Sequence, residues 1–349
     1  MAEPTERSGL RRVLRGLAFT VWTLVLTTVG VEVGLRVLAG QQVGYYVHQE
    51  LDGLRRYPFG DIPVNDDGWP DDPFDPDEPR PRVGYMGDSV VYGLGVPYGE
   101  RFTEVLDELR PDLDHRNYGK PGWNGNRKRQ MSQASTRSRD DGLTHVVYMV
   151  NLNDIRIDGA KAYSVERPAW LAALSAWEGY SAIIDFVLQR WEAQSATGQT
   201  MLWFPQFHPS RMHQAVEETA RRIRGLSSGL ARQGIGFTAV ILPVEMQVSA
   251  DAERTYAELG VEWEEGFVPH GAQDALLAEL DGVDALSALE AFTGPDVEAG
   301  RQRIAYCELF VCDRGGRLDW NHPNPEGHRL LGEFLAERVL ARAVPPVSP

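Results

Sequence analysis

RVGYMGDSVVYG, Arg82 to Gly93, joins a short apolar run to Gly87-Asp88-Ser89 and then to more irregular chain. RVGYMGD (82–88) reads as a first strand, with the serine leaving its C-terminal end. Working outward, RFTEVLDEL (101–109) reads as a helix with Phe102, Val105, Leu106 and Leu109 on one face, and DHRNYG (114–119) as a second, shorter strand. Asn124 to Arg139 reads as a polar helix, and THVVYMVN (144–151) as the clearest strand, a continuous apolar run of the kind buried on both faces. HQAVEETARRIRGLSSGLAR (213–232) is helical, GFTAVILP (236–243) a strand and GVDALSAL (282–289) a weaker one. PEGHRLLGEFLAERVLARAV (325–344) closes the pattern as a helix with Pro325 near its first turn. Short apolar runs alternating with helices predict an α/β fold, a central, mainly parallel sheet with helices on both faces in a three-layer α/β/α sandwich.

Two segments break the rhythm. Residues 155–212 hold Tyr163, Trp170, Trp177, Tyr180, Phe186, Trp191, Trp203, Phe204 and Phe207. A structureless loop of that length is uncommon in a compact domain, so a helical insertion is expected, its aromatics forming its own packing core or a lid that binds an acyl group or sugar. YPFGDIPVNDDGWPDDPFDPDEPRPR (57–82) is dense in Pro and Asp and without periodicity. Such a composition favours extended, solvated chain, so 40–81 reads as a linker that can pack on the surface of a domain spanning 82–345.

The N-terminus reads as an address. Gly16 to Val31 carries no charge, Arg7, Arg11, Arg12 and Arg15 precede it, and the apolar character continues to Leu38 past Glu32 and Arg36. About 20 mainly apolar residues span a bilayer, a length reached here with Glu32 and Arg36 at the interface. The reading is therefore a cytoplasmic stretch 1–15, a transmembrane anchor or signal segment 16–39, and everything later outside the inner membrane. Val37-Leu38-Ala39 also resembles a cleavage site, and a buried core helix is the bland alternative, which fits the arginine-rich start poorly.

Composition excludes several functions. With 349 residues, 42% hydrophobic and 24% charged, the chain belongs to the folded globular class. Asp and Glu number 50 against 35 Lys and Arg, a net charge of −15, which argues against a nucleic-acid partner. Mean hydropathy of −0.33 excludes a multi-span membrane protein. Two cysteines cannot frame a disulfide scaffold or a closed zinc site. Cys307 and Cys312, five apart, could brace their loop by a disulfide in an oxidising compartment or remain two buried thiols.

The chemistry gathers at strand ends. A serine at the C-terminal end of a parallel strand sits where open α/β sheets bind ligands. Asp319-Trp-Asn-His322, just before the last helix, offers a carboxylate for imidazole Nδ1 and leaves Nε2 as a base for Ser89. Asn117-Tyr-Gly119-Lys-Pro-Gly122 follows the second strand and Asn151-Leu-Asn153-Asp154 the third, where a glycine N–H and an asparagine amide could join the Ser89 N–H around an oxyanion. Asp88 and Asp154 read as backbone braces.

These four blocks, in this order over residues 82–345, resemble the SGNH/GDSL hydrolase superfamily: GDS at 87–89, the glycine within NYGKPG, the asparagine of GxND at 153, and DxxH at 319–322, continued as HPNPEGH. The resemblance implies that Ser89 is the nucleophile, His322 the general base, Asp319 its orienting residue, and Gly122 and Asn153 the oxyanion donors; Gly119 is the less favoured glycine. Asn151 stands where GxND has glycine, and Val90 and Val91 replace commoner polar residues. The family's range includes lipases, thioesterases, carbohydrate acetylesterases and acetyltransferases, and it implies no metal or organic cofactor. The expected function is an extracytoplasmic serine esterase acting on an acyl ester, with an acylated glycan or lipid as substrate. Acyl transfer to an envelope polysaccharide and a non-catalytic glycan-binding scaffold are the alternatives, and the oligomeric state is left open. Gly93 to Gly99 only approximates a dinucleotide fingerprint, and His208, His213, His270 and His328 lack the pairing of a zinc helix, which leaves them surface or packing roles.

Overall fold

The computed structural model describes residues 4–39, 50–51, 54–57, 60–121, 128–155, 169–174, 181, 183–184, 187, 209–258, 268–312 and 318–344. The chain divides into two compact units, Met1–Val43 with Glu166–Gln194, and Gly44–Val165 with Ser195–Pro349.

In the first unit, helix α1 (Pro4–Ala39) contains a stretch, Leu14–Leu35, long and apolar enough to cross a membrane. A short helix, Ala169–Leu174, belongs to the same unit. The insertion expected at 155–212 is thus divided between the two units.

In the second unit, three short strands, β1 (Glu50–Leu51), β2 (Leu54–Tyr57) and β3 (Gly60–Pro63), form an antiparallel sheet. They fall within residues 40–81, the stretch read as a linker. The main sheet holds β4 (Arg82–Gly87), β5 (Asp114–Gly119), β6 (His145–Val150), β7 (Gly236–Ile241) and β8 (Ala285–Ser287). All neighbours are parallel, in the order β5-β4-β6-β7-β8. Counted from β4 this is 2-1-3-4-5, a doubly wound order that reverses between β4 and β6, and such sheets bind ligands at the carboxyl ends of the strands flanking the reversal.

Strand alternation explains why both faces are apolar. On β6, Val146, Tyr148 and Val150 join one cluster, with Met86 and Ile241, while Val147 and Met149 join the other, with Val83, Tyr85 and Val240. The first cluster takes in Ala215, Val216, Ile223 and Leu230 of α5 (Pro209–Ala231), which follows α2 (Ser89–Tyr92), α3 (Phe102–Leu109) and α4 (Lys128–Asp140) in the chain. The second takes in Phe102 and Leu106 of α3 with Leu331 of α6 (Pro325–Phe334). Helices therefore cover both faces of a central parallel sheet, in three layers.

Two local forms differ from the sequence reading. The last helix is not uniform: α6 passes into a π-helical stretch at Leu335–Leu340. Asp319 and His322, where the sequence reading placed no strand, lie on β10 (Leu318–Pro323), paired antiparallel with β9 (Phe310–Cys312) with a register shift between Leu318 and Pro323.

The Pro- and Asp-rich segment before β4 is attached by polar contacts. Asp71, buried, accepts the Asn117 N–H at 2.9 Å and lies 3.4 Å from the Arg116 guanidinium. Trp69 meets Tyr118 edge-on at 5.4 Å, and the Arg82 guanidinium lies 4.7 Å from the Phe74 ring centroid. Such contacts leave no periodic hydrophobic signature in the sequence.

Candidate active site

Ser89 is placed by a tight strand-to-helix turn. The Asp88 carboxylate N-caps α2 by accepting the Val90 N–H at 2.9 Å, satisfying one of the donors a helix start leaves over. Gly93, in the left-handed region at φ 80°, ends α2 and donates its N–H to the Ser89 and Val90 carbonyls. Behind the turn, a Cβ on Gly119 would lie 2.1 Å from the Tyr92 nitrogen and 2.5 Å from the Val91 carbonyl carbon. Only glycine lets the end of β5 approach α2 so closely. The Asn117 side chain fixes the same junction, donating to the Val91 carbonyl at 2.7 Å and accepting the Gly119 N–H at 2.9 Å. Gly119 has therefore committed its N–H and serves as a packing glycine.

Across from this turn, His322 Nε2 lies 2.7 Å from Ser89 Oγ, and both residues are buried. Residues 233 positions apart meet at the carboxyl end of β4, beside the reversal of strand order. With the proton on Nδ1, Nε2 accepts the serine hydroxyl, the geometry in which a base can take its proton.

Beyond β6, the Asp154 carboxylate accepts the Asn151 N–H at 3.2 Å, and the Asn151 amide donates to Asp88 Oδ2 at 3.3 Å. Asp88 and Asp154 are both buried, as expected of backbone braces. Asn151, at the position where GxND has glycine, thus ties the loop after β6 to the N-cap of the serine helix. The backbone of Asn153 lies in the 3-10 turn Leu152–Asp154 that leaves β6. Gly122 and the side chains of Asn153 and Asp319 lie outside the described residues. Cys307 is disulfide-bonded, and the only other cysteine in the chain is Cys312.

Several supporting residues gave no motif. Arg101, completely buried, donates to the Pro70 carbonyl at 2.8 Å and the Tyr92 carbonyl at 3.3 Å, pairs with Glu104, and lies 4.3 Å from the Tyr98 ring centroid. It joins the segment before β4 to the end of the serine helix. His328 stacks on Phe102 at 5.8 Å and accepts the Phe102 N–H through Nδ1 at 3.2 Å. Burial, reinforced by nearby Arg101 and His322, lowers its pKa from 6.5 to about 3, so the ring is neutral. A packing role therefore applies to His328. His213 is exposed beside Glu217 at 3.1 Å, and His208 lies outside the described residues. Among the described residues no group of three His, Cys, Asp or Glu could hold a metal ion. In the glycine run after Ser89, Gly93 and Gly95 are turn residues with positive φ.

No protein-family model matches the chain, and no curated protein matches it. Among solved structures it is similar to a member of the lipolytic protein G-D-S-L family from Veillonella parvula, at 15% identity and TM-score 0.40 over 75% of this chain and 98% of that one. A carbohydrate acetylesterase from Sinorhizobium meliloti matches at 12% identity and TM-score 0.37, over 75% and 99% of the two chains. An acetylxylan esterase from Geobacillus stearothermophilus, as a catalytic mutant, matches at 14% identity and TM-score 0.37, over 73% and 92%.

Proposed function

We propose that the chain is a serine esterase of SGNH type, anchored by α1 with its second unit outside the inner membrane, that hydrolyses an acyl ester through Ser89. The observation that carries the reading is the 2.7 Å approach of His322 Nε2 to Ser89 Oγ at a strand's carboxyl end. The four ordered sequence blocks support the same assignment.

His322 takes the hydroxyl proton as Ser89 Oγ attacks the ester carbonyl carbon, forming a tetrahedral oxyanion. The Ser89 N–H, the Gly122 N–H and the Asn153 amide are assigned to that oxyanion. His322 then gives its proton to the departing alcohol, leaving an acyl-enzyme, and a water deprotonated by the same imidazole releases the acid. Asp319 is assigned to hold the imidazole tautomer. Positions three apart point to opposite faces of a regular strand, so an Asp319–His322 bond depends on the irregularity in β10. The acyl group assigned by the envelope location is an O-acetyl on a polysaccharide.

The test is labelling of the full chain in detergent with a fluorophosphonate, alongside hydrolysis of acetyl and longer p-nitrophenyl esters. The full chain is needed because a fragment starting at Arg82 would lose Asp71, which bonds β5. Labelling lost in both Ser89→Ala and His322→Ala is expected. Absence of labelling in the folded wild-type chain would sink the proposal, whereas labelling without hydrolysis until a glycan acceptor is added would assign acyl transfer.

A further inference from the structure

Glu32 stands within the apolar stretch Leu14–Leu35 of α1, where a carboxylate is costly unless it is paired or close to the interface. Its Oε2 accepts the Ser181 hydroxyl at 2.9 Å and the Ile183 N–H at 3.1 Å. Ser181 Oγ in turn accepts the Ile184 N–H at 3.4 Å. Residues 183–184 are helical, and the first N–H groups of a helix lack partners within it. A carboxylate on α1 thus takes the place of a capping side chain for chain 150 residues further on.

Burial along α1 gives this junction a depth. Every side chain from Leu14 to Val31 is exposed, whereas Glu32, Gly34 and Leu35 are half-buried. The uncharged run Gly16–Val31 is about 24 Å long at 1.5 Å per residue, most of the roughly 30 Å of a bilayer's hydrocarbon core. Among the described side chains, cover on α1 begins where that run ends, at Glu32.

The helix Ala169–Leu174, in the same unit, leaves Ala169, Trp170 and Ala173 exposed, Trp170 by 59%. Those three positions share one helical face, which is wholly apolar. An exposed tryptophan on such a face suits the membrane–water interface, where amphipathic rings concentrate.

We infer that the helix Ala169–Leu174 and the segment at Ser181 and Ile183 that Glu32 docks on α1 lie in the outer interfacial layer of the bilayer, and that the partner of the exposed face of Ala169–Leu174 is lipid. The inference rests on the anchoring of α1 proposed above. It also gives Glu32 a positioning role. Cleavage after Ala39 would remove this cap, so the inference requires that α1 be retained.

The experiment uses the full chain reconstituted in phosphatidylethanolamine–phosphatidylglycerol vesicles. A nitroxide is attached at Trp170→Cys, with Ala173→Cys as a second probe of the same face and Arg254→Cys as an exposed reference. Collision with oxygen should exceed collision with a water-soluble nickel chelate at both probes, and nickel collision should be several-fold lower than at residue 254. Glu32→Ala should raise nickel collision at 170, and Glu32→Gln, which keeps an acceptor oxygen, should raise it less. Probes as open to nickel as residue 254, or shielded from both reagents, would overturn the inference. Chain extractable by alkaline carbonate would overturn the anchor and the inference together, while retained chain with water-exposed probes would overturn the inference alone. Esterase activity enters neither readout.

Discussion

The chemistry proposed at Ser89 depends on groups that act together. Ser89→Ala and His322→Ala should each lower kcat/KM by about 10⁴-fold or more, and the double variant should be no worse than either alone, because each single change already removes the activated nucleophile. An additive loss in ester hydrolysis would show that the 2.7 Å pair is not one catalytic unit. Asp88 belongs to positioning. Asp88→Ala removes the cap on Val90 N and the acceptor for Asn151, so it should cost about 1 kcal/mol or more in urea unfolding and slow fluorophosphonate labelling, while Asp88→Asn should restore much of both. Equal labelling rates in all three chains would remove Asp88 from that role.

At the scale of elements, the junction of α2 with β5 is the tightest part of the site. Gly119→Ala would push a methyl group into the backbone of Val91 and Tyr92, which cannot yield as a side-chain tip can. Overpacking of this kind costs about 1–3 kcal/mol, and here the displaced element carries Ser89, the proposed nucleophile. The midpoint of urea unfolding should therefore fall and labelling of Ser89 slow together. A stable variant labelled at the wild-type rate would show that α2 tolerates movement. His322 lies on β10, whose Leu318 and Pro323 pair with Cys312 and Phe310 of β9, and Cys307 shortly before β9 is disulfide-bonded.

For the whole molecule, buried histidines set part of the response to acid. Burial holds His115 and His145 at pKa values of about 4 and His328 at about 3, against 6.5 for a free ring. As pH falls from 6.5 towards these values, the unfolded chain binds protons at the three rings that the folded chain refuses. Their contribution is thus fully present above pH 6.5 and is lost on acidification. Asp71 acts in the opposite sense: burial raises its pKa to about 6, so folded chain holds a proton that unfolded chain has released between pH 3.8 and 6. Nitrogen-detected NMR should find all three rings neutral at pH 5.5. Replacing His328 by Asn, whose Oδ1 can still accept the Phe102 N–H, should flatten unfolding free energy against pH below 6.5 by up to about 1.4 kcal/mol per pH unit. An unchanged slope would show that His328 titrates normally.

The sequence alone determined the parallel α/β sheet, because β6 is a continuous apolar run whose alternate residues feed two clusters, and period and composition are local properties. It also placed Ser89 and His322 among the residues of interest, through short blocks whose chemistry is readable without coordinates. Tertiary structure decided what no window of sequence contains: the meeting of Ser89 with His322, the commitment of the Gly119 N–H, and the attachment of the Pro- and Asp-rich segment by Asp71. The buried guanidinium of Arg101 and the Glu32 cap on residues 181–184 belong with these. Each is a polar or close-packed contact between distant parts of the chain, and its energy depends on distance and burial, which a hydrophobic period does not record.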